Sequence, residues 1–327
     1  MKNTVEITDD RNLKSVMVRI PKFKLSDVIE GAADVTHPAF ILDGNEVEAI
    51  YISKYENTLI DGLAYSLPNQ DPEVFVTINQ ARSYCKNKGK GWHLMTNDEW
   101  AAVALLSKKS NTLPRGNNNY GKDHRFENQE GILSENKPCP IEGKPFRVLT
   151  GSGPVEWSHD GTTDGIYDMN GNVWEWIDGI RVVDCELQLR SQSDGVWRAL
   201  DGGGNSCQAG SDNTLKYKTL SEDGKLVLSV LASDKQTDDE VLISTYKAIK
   251  PDVDDVFANK LMAMALIPEG DGYEEDVVAV NVKGTYNAIR GGYWVNKENA
   301  GIFALGLILK DDENYFDVGF RCAYYEK

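Results

Sequence analysis

One stretch constrains this chain more than any other: Gly165-Ile166-Tyr167-Asp168-Met169-Asn170-Gly171-Asn172-Val173-Trp174-Glu175-Trp176. Asp, Asn and Gly favour tight turns because their side chains or their freedom suit local backbone bonding. Here they run straight into two tryptophans, which call for a core. Two readings follow. Asp168 and Glu175 are hard carboxylates, and Gly171 lets the backbone fold so that carbonyls join them, which suits calcium with its roughly six to eight oxygens. Alternatively, the Asp and Asn side chains bond to nearby backbone groups and the turn holds no ion.

The last forty residues show a second pattern. Arg290-Gly291-Gly292-Tyr293-Trp294, Asn299 to Leu305, and Gly319-Phe320-Arg321-Cys322-Ala323-Tyr324 read as framework. Between them, Val295-Asn296, Gly306 with Ile308-Leu309, and Tyr315-Phe316-Asp317 set apolar, aromatic, amide and acidic side chains where turns and loops are expected. Fixed spacers with mixed contents suit a binding surface. An ordinary C-terminal hairpin with scattered exposed hydrophobes is the competing reading.

A length of 327 residues allows one large domain with an insertion or two domains. The net charge of −16 argues against nucleic acid or an anionic membrane as partner. No apolar run reaches the roughly 18–20 residues of a membrane span. Met1 to Lys14 is polar, without the apolar region of a signal peptide, so synthesis in the cytoplasm is expected. Cys85, Cys139, Cys185, Cys207 and Cys322 are scattered and odd in number, which suggests neither a disulfide framework nor a zinc site. Gly202-Gly203-Gly204 lacks the continuation of a phosphate loop, and Ser206 lies in no nucleophile elbow. The histidines (His37, His93, His124, His159) are isolated from one another.

Val16 to Phe23 and Ala49 to Tyr55 read as strands. Val76 to Lys88 has helical spacing, with Ile78, Ala81, Tyr84 and Cys85 on one face. Thr96 and Glu99 have capping-box spacing before an apolar run, so a helix begins there. Residues 110–165 read as long loops. Residues 181–285 change character, with the charged stretch Asp234 to Glu240 and helical spacing from Val256 to Ala265, and read as an insertion.

Several pieces now fall into order: Met17-Val18-Arg19-Ile20-Pro21, Tyr51 to Asn57, Leu94 to Trp100, Gly165 to Trp176, Arg290-Gly291-Gly292 and Gly319-Phe320-Arg321. Together they resemble the formylglycine-generating-enzyme (sulfatase-modifying factor) type of C-type lectin fold. The resemblance implies an α+β fold, irregular and loop-rich. Residues 1–15 would be an N-terminal extension, and residues 16–327 the lectin-like domain with an insertion at 181–285. In that family the motif binds calcium, which implies Asp168 and Glu175 as side-chain ligands and Gly171 and Val173 as carbonyl ligands.

Within the superfamily the chain is most similar to the variable proteins of diversity-generating retroelements, through Gly91 to Thr96, Pro114 to Gly121 and Asn299 to Leu305. This implies a non-catalytic binding protein with a diversified segment at 290–322, carried by a phage particle or displayed on a cell. Its partner would be a protein or other surface ligand on a host or target cell. No cofactor is required, calcium would be structural, and the sequence is compatible with an oligomer without indicating one. The ligand-contacting residues would be Tyr293, Val295, Asn296, Gly306, Ile308, Leu309, Tyr315, Phe316 and Asp317. All nine are reachable from an Asn codon mutated only at its adenines, whereas Lys297, Glu298, Lys310 and Glu313 are not. The formylglycine-generating enzyme uses a cysteine pair after Arg-Gly-Gly; Tyr293 to Lys310 holds no Cys or His, so that oxidase activity should be absent. An oxidase-like enzyme of this fold and an undiversified structural tail protein remain the alternatives.

Overall fold

A computed structural model describes residues 3–134, 146–219, 226–230 and 241–326. The stretch 234–240 and Cys139 lie outside these residues.

The opening strands form a sheet that the end of the chain completes. Its order is Thr4–Thr8, Lys14–Pro21, Ala49–Ser53, Cys322–Tyr324, Trp92–Leu94, and every pairing is antiparallel. Period-two patterning explains it, because Val18 and Ile20 lie opposite Ile52 and Ile50 in adjacent strands and all four are buried in one cluster. The expected N-terminal extension is therefore no appendage. Thr4–Thr8 is the edge strand of this sheet, in register from Thr4 opposite Val18 to Thr8 opposite Lys14.

Two helices follow, each started by a reciprocal cap. Thr77 and Gln80 cap Ile78–Lys86, and Thr96 and Glu99 cap Asn97–Lys109. Ile78, Ala81 and Cys85 are buried on one face of the first helix. In the second, Trp100 is fully buried and its indole N–H donates to the Ile302 carbonyl at 2.7 Å. No helix among the described residues is long and apolar enough to cross a membrane.

The second sheet has twelve strands among the described residues. Its centre runs Val277–Asn281, Gly301–Leu309, Thr285–Gly291, Trp174–Val183, Glu186–Arg190. Residues 181–285 thicken the fold, since they supply strands on both sides of that centre. Leu187, Tyr217, Phe257, Leu261 and Val280 from them share one core with Ile177, Phe303 and Leu305. Arg290 clamps this region to the rest of the fold. Its buried guanidinium donates to Asn97 Oδ1 at 2.7 and 3.0 Å and to the carbonyls of Ala265 at 3.1 Å and Met264 at 3.4 Å, just past the helix Asp255–Ala263. Five donors in a rigid fork suit a buried junction of several carbonyls.

Cys85 and Cys322 are joined as a disulfide, with Cα atoms 5.5 Å apart. This corrects the expectation drawn from scattered cysteines. The helix Ile78–Lys86 and the strand Cys322–Tyr324 meet although the two residues are 237 positions apart in sequence, and no spacing rule reports that contact. Cys185 and Cys207 are free.

Candidate ligand-binding face

The face is built outward from Trp294. The strand Thr285–Gly291 ends in two left-handed glycines, Gly291 at φ 95° and Gly292 at φ 82°. A Cβ on Gly292 would lie 2.6 Å from the Ala300 Cβ, so only glycine lets the chain double back here. The turn is closed by Asn296, whose side-chain oxygen accepts from the Tyr293 N–H at 2.9 Å and whose N–H donates to the Tyr293 carbonyl at 3.0 Å.

Inside the turn Trp294 is fully buried with Val74, Phe146 and Val173. Its ring is 5.5 Å from Phe146, 5.1 Å from Tyr293 and 5.7 Å from Phe316. Tyr293, Val295 and Phe316 are half-buried around it, one side packed and the other in solvent. Tyr315 is 41% exposed. The loop that carries it is held by backbone: the Tyr315 carbonyl accepts from the Phe75 N–H at 2.9 Å, and the Asp317 carbonyl accepts from the Trp174 N–H at 2.8 Å. Partial burial pushes the Asp317 carboxyl up to about 6. Burial, with Asp317 and Tyr120 nearby, raises the Tyr293 hydroxyl. Tyr293, Val295, Asn296, Tyr315, Phe316 and Asp317 thus gather on the two loops around Trp294.

The remaining three expected contact residues do not join them. Gly306, Ile308 and Leu309 lie in the strand Gly301–Leu309, between Val277–Asn281 and Thr285–Gly291. Gly306 and Leu309 are buried, and Ile308 is half-buried against the cluster of Trp174, Trp176 and Phe320. A Cβ on Gly306 would meet Ile289 at 2.8 Å. The unbroken apolar run Gly301 to Leu309 is a strand covered on both faces, and Gly306 makes room for a neighbour instead of a turn.

Beneath the face lies the Asp168–Glu175 motif. Gly171 donates to the Gly291 carbonyl at 2.9 Å, and a Cβ on it would fall 2.1 Å from the Asn117 carbonyl oxygen. Asn172 is saturated: it donates to Glu56 at 2.6 Å and accepts from Asn117 Nδ2 and the Val148 N–H. Glu175 gives both carboxylate oxygens to Arg321, at 2.6 and 2.5 Å, and the same guanidinium reaches the carbonyls of Ser53 and Tyr167 at 3.1 Å each. Burial alone would lower the Arg321 pKa, but Glu175 beside it more than offsets this and holds it above the usual value. Asp168, at φ 64°, accepts from the Gly151 N–H at 2.7 Å; its other oxygen is buried without a partner among the described residues, and burial pushes the carboxyl up to about 6. Glu56 is raised well above the carboxylate range by burial and by the nearby Asp168 and Glu175.

These residues do not fit a calcium ion held jointly by Asp168 and Glu175. A guanidinium takes both Glu175 oxygens, leaving one free carboxylate oxygen on Asp168. Among the described residues, no group of three or more His, Cys, Asp or Glu is arranged to hold a metal. Glu56, Asn97, Arg290 and Arg321 carry this architecture. The motifs contain all four, but their pairings are tertiary and leave no local signal.

An α+β lectin-type scaffold with a solvent-facing loop pair defines a class, and comparison with known proteins gives the family. Residues 18–204 match the sulfatase-modifying factor enzyme 1-like domain, and the chain belongs to that family. It is 34% identical over 105 residues to the inactive C-alpha-formylglycine-generating enzyme 2 of Bos taurus, a match covering 32% of each chain. It therefore aligns with about a third of that curated relative's length. Among solved structures it is similar to PvdO from Pseudomonas aeruginosa, with 14% identity, a TM-score of 0.40 and 99% of each chain covered. It is also similar to Treponema denticola variable protein 1, with 12% identity, a TM-score of 0.37 and 98% of each chain covered.

Proposed function

We propose that this chain is a non-catalytic binding protein whose C-terminal loops form a ligand face diversified by a retroelement, for recognition of a surface ligand on a host or target cell. The observation that carries this is the arrangement around Trp294. A fully buried ring anchors two loops whose own side chains are half-exposed, chemically mixed and held by backbone bonds. Such a surface can change its side chains without changing its path. Tyr and Phe at its rim offer contact area at low entropy cost.

The absence of Cys and His from Tyr293 to Lys310 supports a binding role over an oxidase, as does the description of the mammalian relatives as inactive. Carriage on a phage particle after synthesis in the cytoplasm belongs to the same proposal.

The flanking DNA tests it. A template repeat beside a reverse-transcriptase gene is expected, with Asn codons opposite the six loop positions and identity to the gene at Trp294. No template, or mismatches scattered without regard to adenine, would remove the retroelement and leave a plain lectin-fold binder.

A further inference from the structure

Phe75 lies far from the C-terminal segment in sequence, yet it borders the face. It is 49% exposed and adopts φ 60°, a left-handed backbone that a bulky aromatic rarely takes. The strain is imposed from both sides. Val74 is buried against Trp294 and Val173, and Val76 is buried with its carbonyl accepting from the Trp176 indole N–H at 2.8 Å. Between these anchors the Phe75 N–H donates to the Tyr315 carbonyl, which sets the two most exposed aromatics of this region on adjoining backbone. Strain kept to expose a large apolar ring points to use of the ring.

The loop that carries Tyr315 is acidic. Asp311 to Val318 contains Asp311, Asp312, Glu313 and Asp317 and no Lys, Arg or His. Glu313 contacts the Tyr315 hydroxyl at 3.5 Å, and Lys310, just before the loop, stands over the Tyr286 ring. An exposed aromatic with a carboxylate beside it attracts guanidinium and ammonium groups, through the ring quadrupole and through complementary potential.

We propose that Phe75 is a fixed aromatic anchor of the ligand face, outside the diversified segment, and that the face takes an Arg- or Lys-bearing protein segment. This rests on the ligand-face reading above. The test is to pan a library of random dodecapeptides against the immobilised full chain and against Phe75→Gly, then measure the dissociation constants of the enriched peptides. Glycine accepts φ 60° without strain, so the variant should melt within a few degrees of the parent. Phe75→Asn, also tolerant of left-handed backbone, replaces it if glycine loosens the loop.

The expected result is enrichment of Arg- and Lys-bearing peptides that bind Phe75→Gly about tenfold more weakly, the scale of an interface hot spot. Enrichment of acidic or neutral peptides would overturn the cationic partner. Cationic peptides that bind parent and variant equally would overturn the anchor. No enrichment on the parent would overturn the ligand face itself, an outcome distinct from the other two.

Discussion

Asp276 occupies space that Gly301 leaves open: a Cβ at 301 would come within 2.2 Å of its carboxylate. One oxygen accepts from the Phe303 N–H at 2.8 Å, while the other is buried without a partner among the described residues. Burial pushes this carboxyl up to about 7 from an ordinary value of 3.8. The folded chain therefore keeps a proton that the unfolded chain has released across that window. Its stabilising effect is full below the unfolded value and is lost as pH rises through 7. At about 1.4 kcal/mol per pKa unit, the ionised group costs the fold a few kcal/mol at pH 8. Asp276→Asn should match the parent's melting temperature near pH 4 and exceed it at pH 8. Melts across that range check this, and a variant that loses stability equally at every pH would contradict it. Such a residue is invisible in sequence because its meaning lies in Gly301 and Phe303. Trp294, Phe303 and Phe320 belong to the stretches that read as framework in the sequence, and all three are buried.

At the level of elements, caps and periodicity were readable. Thr77 with Gln80 and Thr96 with Glu99 announce helices through bonds made within one turn. The strand Gly301–Leu309 was only half legible. Asn299 to Leu305 reads as framework, whereas Gly306 reads as part of a turn, because its cover by Ile289 is a long-range fact that no local pattern reports. The motif Asp168–Glu175 shows the same limit: its turn was plain, whereas the partner of Glu175 is Arg321, 146 positions away. From that pairing, melts with and without a calcium chelator should coincide. Glu175→Gln leaves Arg321 buried and unpaired, and should cost roughly 3–5 kcal/mol. A chelator-induced drop in melting temperature would restore the ion to this motif.

For the whole molecule, the order of motifs along the chain points to the lectin-type scaffold, whereas the place of residues 181–285 in it has no local signal. Residues 181–285 join the core through one apolar cluster, with Tyr217, Phe257 and Leu261 among them, and through the Arg290 bonds to Met264 and Ala265. The result is a frame that carries the C-terminal loops at the surface of its core. Their backbones are fixed by Gly292, Phe75 and Trp174, and their side chains lie at the surface of the Trp294 cluster. If the frame is a display scaffold, its stability should be separable from the identity of those side chains. The direct measurement is thermal unfolding of variants in which Tyr293, Val295, Tyr315, Phe316 and Asp317 are exchanged together, set beside Trp294→Ala. Partly exposed positions each contribute little, so the exchanged set should remain folded and lose no more than about 2 kcal/mol. Truncating the buried ring should cost roughly 3–5 kcal/mol. Loop variants that unfold as readily as Trp294→Ala would contradict the account.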